Sequence, residues 1–244
     1  MLSAIAIEVM KLKRSYAALL CAASPALVAV LTVLITLAQD EPSPWMSVIN
    51  GVAEMWSYFM LPMSITALTV LVAQLEHGSG AWDHLLAQPV PRWHVFAAKG
   101  IAVTGLVAAM SAVLFLLVPA AGFAAELLGQ GTQLAGPVPW ADAAALLARM
   151  FAASLLLIAL QLWVALRFRS FVPGLAIGAG GTFAAVVVDQ VLGQGPVLPW
   201  LIAQHAISDD PWQSTTAIGV GIGGGLVIGL LMVMDLSRLE FARA

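Results

Sequence analysis

Hydrophobic residues form six long runs along the chain, separated by short stretches rich in proline, glycine and charge. A window of about 19 residues, enough for a helix to span a bilayer, isolates each run. Backbone groups in lipid have no water to bond, so each run is expected to pair its own backbone groups as an α-helix. The pattern predicts an all-α membrane protein with six transmembrane helices, over residues 17–38, 55–75, 95–122, 143–166, 171–192 and 214–234. The first run is longer than the roughly 7–15 residues of a signal-peptide core, so we expect it to be retained.

Composition agrees with a single transmembrane domain over residues 1–244. Hydrophobic residues make up 61% of the chain and charged residues 9%, against about 45–50% and 25% in soluble domains. The mean hydropathy is +0.97. These values exclude a soluble enzyme or a secreted domain, and the net charge of −3 excludes nucleic-acid binding through bulk electrostatics. The single cysteine, Cys21, cannot form an internal disulfide.

Basic residues lie almost entirely on one side of the predicted bundle. If the N-terminus is cytoplasmic, only Arg149 among the ten basic residues falls near the outer face. Cytoplasmic loops carry an excess of Lys and Arg, so this distribution predicts that both termini are cytoplasmic. The tryptophans support the six spans, because they gather at the predicted boundaries, where indole rings are favoured, and none falls in the middle of a span.

The N-terminal segment, residues 1–16, has an amphipathic pattern. Apolar residues recur at helical spacing from Leu2 to Leu12. Charged residues occupy another face: Glu8, Lys11 and Arg14. The pattern predicts an interfacial helix that lies in the cytoplasmic headgroup plane before the chain turns into the first span. The alternative is a frayed basic flank that only sets the topology.

A short helix is also predicted between the second and third spans, over residues 81–88. Glycines precede it and prolines follow it, at positions 78, 80, 89 and 91. Trp82, Leu85 and Leu86 lie at i, i+3 and i+4 and form one apolar face, while Asp83 and Gln88 complete the helix. Such a face can insert into a groove of another chain. The alternative is that it rests on lipid headgroups.

The residues of the N-terminal segment and of the first predicted cytoplasmic loop resemble the layout of ABC-2 type permeases: Glu8-x-x-Lys11-x-Lys13-Arg14-Ser15, then Glu76, Gly80, Leu85-Leu86, Pro89, Arg92 and Lys99. The resemblance is greatest to the small branch that includes lantibiotic-immunity and bacitracin-export permeases. It implies an ATP-driven exporter of an amphipathic peptide or antibiotic-like substrate in the cell (inner) membrane. Such an exporter has two six-span subunits, identical or different, and two separate cytoplasmic ATPase subunits. The resemblance also implies that residues 81–88 form the ATPase-coupling helix, with Trp82, Asp83, Leu85, Leu86 and Gln88 as its coupling residues.

Motifs for chemistry on this chain itself are missing from the sequence. It contains no G-x-x-x-x-G-K-[ST] phosphate loop, so ATP and Mg²⁺ are expected on the partner ATPase and no cofactor on this chain. We predict no catalytic residues and no metal ligands, since the four histidines fall in loops or short surface helices without ligand spacing. The G-x-G-x-x-G match at residues 219–224 lies inside a span without a preceding strand, which excludes a dinucleotide site. Gly221, Gly225 and Gly229 repeat every four residues, a pattern that favours close helix packing.

Two other functions stay open on the sequence. One is a membrane anchor or assembly subunit that transports nothing. The other is a secondary carrier, which would need buried ionisable residues near the bilayer midplane, and these are nearly absent. Arg149 and Asp189 fall at similar outer depth and could pair, or each could extend to the outer surface.

Overall fold

The computed structural model describes residues 2–12, 15–39, 43–77, 91–129, 134–192 and 198–238. In these residues six helices are long and apolar enough to cross a membrane, which confirms the predicted all-α fold with six spans. The helices and strands are α1 (Leu2–Leu12), α2 (Tyr16–Leu37), β1 (Ser43–Pro44), α3 (Trp45–Met55), a π-helical segment (Trp56–Met60), α4 (Leu61–His77), α5 (Arg92–Leu128), β2 (Leu134–Ala135), α6 (Trp140–Arg167), α7 (Phe171–Leu192), α8 (Ile202–His205) and α9 (Pro211–Arg238).

Span 1 is α2, span 2 is α3 with the π-helical segment and α4, and spans 3 to 6 are α5, α6, α7 and α9. The six spans leave two ends of the bundle, which we name by their contents. The α1 end holds α1, the last turn of α4, the first turns of α5, the α6–α7 connection and the last turn of α9. The far end holds β1, β2 and α8. That the α1 end faces the cytoplasm, and that α1 lies in the headgroup plane, remain predictions from the sequence.

Span 2 is longer than the sequence predicted. It runs from Trp45 to His77 through α3, the π-helical segment and α4. The polar residues Asn50 and Glu54 lower the mean hydropathy of α3, so the sequence did not predict it as part of a span. In the structure both side chains are exposed. The other face of α3 is apolar and packs into the bundle, so it continues the helix toward the far end.

Polar side chains join spans 2, 4 and 5 inside the bundle. Gln161 on α6 is fully buried, and its Nε2 donates to Thr66 Oγ1 on α4 at 3.3 Å and to the carbonyl oxygen of Gly174 on α7 at 3.0 Å. Thr66 and Thr69 donate to carbonyl groups of their own helix. Gln161 therefore joins α4 and α7 to α6 through interhelical hydrogen bonds.

At the far end, the connections between spans fold back onto the bundle. β1 pairs with β2 in parallel and joins the connection between spans 1 and 2 to that between spans 3 and 4. The helix α8 is mostly buried. His205 was predicted in a loop or surface helix, but it is 7% exposed, and its Nδ1 lies 3.1 Å from Gln213 Nε2. Apolar neighbours of His205 in α8 account for its burial, because they draw the whole turn inward.

The three glycines of span 6 have different surroundings. A Cβ on Gly221 would overlap the backbone of Ala153, and one on Gly225 would overlap the backbone of Leu155. These two positions therefore let α9 approach α6 closely. A Cβ on Gly229 would meet nothing within 4 Å, and this residue lines an apolar groove between spans 3, 4 and 6.

We expect Gly221→Ala to destabilise the protein by about 1–3 kcal/mol, because the new methyl group meets backbone that cannot rotate away. Gly223→Ala is the matched control, since a Cβ there meets nothing within 4 Å and alanine favours the helix. Chemical unfolding in detergent measures both variants. Equal stability of the two variants would contradict the close packing of α9 on α6.

Candidate functional site

Four charged side chains from three helices meet at the α1 end, and we call them the charge ring: Glu8, Lys11, Glu76 and Lys99. Lys99 Nζ lies 2.7 Å from Glu8 Oε2 and 3.2 Å from Glu76 Oε1. Lys11 Nζ lies 2.9 Å from Glu76 Oε1 and 3.2 Å from Glu8 Oε1. Each lysine therefore pairs with both glutamates, and the four ion pairs close a ring.

The helix α1 supplies two of the four charges because of its periodicity. Glu8 and Lys11 are three residues apart and share one helix face. This charged face packs against the bundle, and Glu8 and Leu12 are buried there. Ile7, Val9 and Met10 are exposed on the remaining surface of α1. The helix ends where Ser15 Oγ donates to the Leu12 carbonyl group at 2.8 Å and Tyr16 begins span 1.

The other two charges come from the helices that flank residues 78–90. Glu76 is the penultimate residue of α4, and Lys99 lies two turns into α5. The side chain of Lys99 is 1% exposed and that of Glu76 is 2% exposed. Two negative and two positive charges cancel, so the ring is neutral as a whole. The ring thus joins α1 to both helices that lead into segment 78–90.

Lys11 is the most accessible member of the ring, with its side chain 32% exposed. Partial burial lowers the pKa of Lys11, but its hydrogen bond to Glu76 and the charge of Glu8 outweigh that effect. The net result is a pKa above the ordinary value. Lys11 therefore keeps its positive charge at every physiological pH, and any contribution to stability would be lost only as strongly alkaline pH passes through the raised pKa.

Burial makes the ring sensitive to the loss of a single member. An isolated charge in an apolar interior is very costly, and pairing offsets that cost only while all partners are present. Of the two lysines, Lys99 makes the shorter ion pair with Glu8, at 2.7 Å against 3.2 Å for Lys11. Removing Lys99 would leave two buried carboxylates with one partly exposed lysine between them.

A second polar region lies at the far end. A cavity of about 580 Å³ is lined by Glu54, Asp142, Asp209 and Arg149, among others. An adjoining cavity of about 470 Å³ shares Glu54 and Asp209 with it and adds Asp189. The pair between Arg149 and Asp189 is not formed; Asp189 Oδ2 instead lies 3.5 Å from Tyr58 Oη. Among the described residues, no group of three or more His, Cys, Asp or Glu side chains could hold a metal ion.

The predicted coupling residues cannot be placed, because Trp82, Asp83, Leu85, Leu86 and Gln88 lie outside the described residues, as does Arg14. Glu8 and Lys11, which we predicted on the polar face of an interfacial helix, are members of the ring. The mutual pairing of the four charges was not predicted. A signal for it was present, because Lys99 falls inside the third hydrophobic run and an ionisable residue within a span needs a partner.

We expect Lys99→Met to lower the free energy of unfolding by about 3–5 kcal/mol, the usual effect of removing one partner from a buried ion pair. Lys11→Met is the matched comparison, and we expect it to cost less than Lys99→Met, because both glutamates keep the buried Lys99 as a partner and the ammonium group of Lys11 is itself partly solvated. Unfolding of both variants in detergent measures the difference. If Lys11→Met proved the more damaging change, Lys99 would not be the central member of the ring.

Comparison with known proteins identifies the family. The model described as ABC-2 family transporter protein matches residues 4–185 of the 244. No curated protein and no solved structure matches the chain. The matched region contains all four ring residues and segment 78–90. Because the match covers well over half of the chain, the protein belongs to the ABC-2 family of transporters, whose membrane permeases associate with an ABC ATPase.

Proposed function

We propose that the chain is the transmembrane subunit of an ATP-driven exporter that acts beside a second permease subunit and separate ATPase subunits. Membership of the ABC-2 family supports a permease that associates with an ATPase. The sequence has no phosphate loop of its own, so ATP and Mg²⁺ would bind to the partner. The second permease subunit would be either identical to this chain or a different one.

The observation that carries this proposal is the position of the charge ring. Glu76 and Lys99 lie in the two helices that flank segment 78–90, which contains the proposed coupling helix 81–88. Both are buried and paired with each other, at 3.2 Å. A displacement of segment 78–90 would therefore move the adjoining ends of α4 and α5 together, because a buried pair of opposite charges joins the two helices there and not a solvated loop end.

This arrangement suits a subunit that receives mechanical work. Closure of the ATPase pair on ATP would displace residues 81–88, with Trp82, Leu85 and Leu86 as the apolar face in contact with the ATPase. Spans 2 and 3 would then tilt within the bundle, and alternation between two arrangements of the spans would move the cargo outward. ATP drives the change only if the ATPase binds the two arrangements with different affinity.

We propose an amphipathic peptide or antibiotic-like cargo, in line with the resemblance to lantibiotic-immunity and bacitracin-export permeases. The far-end cavity supports a cationic cargo, because three carboxylates line it beside one arginine. The protein would reside in the cell (inner) membrane with the α1 end in the cytoplasm.

A non-transporting anchor and a secondary carrier are the alternatives. An anchor would bind the ATPase through the same segment but would move no cargo. A carrier would move cargo without the ATPase and would need unpaired ionisable groups near the midplane. The buried charges of the described spans disfavour a carrier, because Glu76 and Lys99 pair with each other near the α1 end.

To test docking, we expect Leu85→Asp combined with Leu86→Asp to abolish co-purification with the partner ATPase, because two carboxylates would have to enter an apolar groove. The matched control is Leu127→Asp combined with Leu128→Asp. These leucines are also adjacent and are 88% and 70% exposed, but they lie at the far end. Pull-down from co-expressing cells measures retention of the ATPase. Loss of the ATPase only in the control, or in neither variant, would refute docking through residues 81–88.

The proposed orientation can be tested with single cysteines in a Cys21→Ser background. Ser170, in the α6–α7 connection, and Asp209, at the far end, are both exposed. We expect Asp209→Cys to react with a membrane-impermeant maleimide in intact cells, and Ser170→Cys to react only after permeabilisation. The reverse pattern would place the α1 end outside the cell and would remove any contact with a cytoplasmic ATPase.

A further inference from the structure

The two helices that flank segment 78–90 depend on the charge ring for their connection at the α1 end. Along their lengths, α4 and α5 share few direct contacts, whereas α5 packs extensively against α2. Near the α1 end, Glu76 of α4 pairs with Lys99 of α5 directly, and α1 links the same two residues because Lys11 pairs with Glu76 and Glu8 pairs with Lys99. The helix α1 packs mainly against α5, and its Lys11 reaches across to Glu76 of α4. Without the ring, α4 and α5 would be joined there mainly by segment 78–90 itself.

Stability alone does not explain why this contact is ionic. Replacing a buried ion pair by well-packed apolar side chains is often neutral or stabilising. Buried apolar residues lie within four positions of the ring residues on the same three helices, namely Leu12, Ala73 and Phe96, and all three belong to the main apolar core. An apolar contact would therefore have been available at this position. What the ring adds is a shared constraint, because moving any one of the three helices changes the distances of its ion pairs to the other two.

We propose that the charge ring is a mechanical link that makes α1, the end of α4 and the start of α5 move as one body, with Lys99 as its central positioning residue. The proposal rests on the proposed function, since the motion transmitted is that of segment 78–90. It adds two points. The helix α1 is part of the moving body, and a complex that lacks the ring still hydrolyses ATP but no longer couples hydrolysis to transport. Lys99 is central because it is the buried lysine, and Lys11 closes the ring from the accessible side.

The variant that tests this proposal removes the charges without leaving any of the buried ones unpaired. Glu8→Gln, Lys11→Met, Glu76→Gln and Lys99→Met together remove two negative and two positive charges and give a neutral, similarly sized cluster. Asp235→Asn is the control. Asp235 forms an ion pair with Arg167 on spans 6 and 4, at the same end of the bundle but away from segment 78–90, and its side chain is 37% exposed. Lys99→Arg keeps the positive charge and serves as the conservative variant.

The first measurement is transport per ATP hydrolysed, in vesicles that contain the permease and its ATPase. We expect the neutral variant to remain folded, to bind the ATPase and to hydrolyse ATP, but to transport at least tenfold less cargo per ATP. Asp235→Asn should keep the wild-type ratio, and Lys99→Arg should recover most of it. A neutral variant with the wild-type ratio would overturn the proposal.

The second measurement does not depend on transport. Spin labels at Ile7→Cys on α1 and Gln74→Cys on α4, in a Cys21→Ser background, report the distance between these helices with and without ATP. We expect one narrow distance in both states when the ring is intact and a broadened distribution in the neutral variant. Equal distributions with and without the ring would overturn the link. If the intact complex hydrolyses ATP but moves no cargo, the exporter function fails while these distances still decide whether the ring joins the helices.

Discussion

Charge burial is the constraint that organises the α1 end of this bundle. Lys99 sits inside a long apolar span, where an unpaired ammonium group is too costly to keep. Its two partners come from different helices, so α1 and α4 must both approach α5 at the level of that residue. The position of α1, a helix whose other surface exposes Ile7 and Met10, follows from this requirement and not from its hydrophobic residues alone.

The rest of the bundle is held by a different kind of contact. Glycines bring α9 against α6, and a buried glutamine joins spans 2, 4 and 5 by hydrogen bonds. These contacts depend on close approach along the helices and act within the hydrocarbon depth. The two helices that lead into segment 78–90 share few contacts of this kind. The bundle therefore combines tightly packed helix pairs with one ion-paired junction at its end.

The sequence was sufficient for the six spans, because hydropathy over a bilayer thickness is a strong signal. The sequence was less informative where an amphipathic helix continues a span. Asn50 and Glu54 lower the hydropathy of the first turns of span 2, so these turns were not predicted, although the neighbouring Ile49 and Val52 are buried. The four ring residues are charged residues beside or within apolar runs, and the sequence shows them individually. Their pairing, however, includes a contact between Glu8 and Lys99, which are 91 residues apart in the chain. Helical periodicity cannot supply a contact of that separation, since it describes only neighbours within one helix.

An ionic junction has a physical advantage over an apolar one in transmitting displacement. The hydrophobic effect is non-directional, so two apolar helix faces can slide or rotate past each other while most of the buried area is kept. In a low-dielectric interior, separating a buried charge from its partner is costly, and the alternative of solvation is not available until the charge reaches water. A small shift of α4 against α5 would lengthen pairs to Lys99 and Lys11 together. Burial raises the free-energy cost of forming the ring, and it also raises the cost of separating the paired charges. A contact that resists separation in this way can transmit the motion of one helix end to the other two.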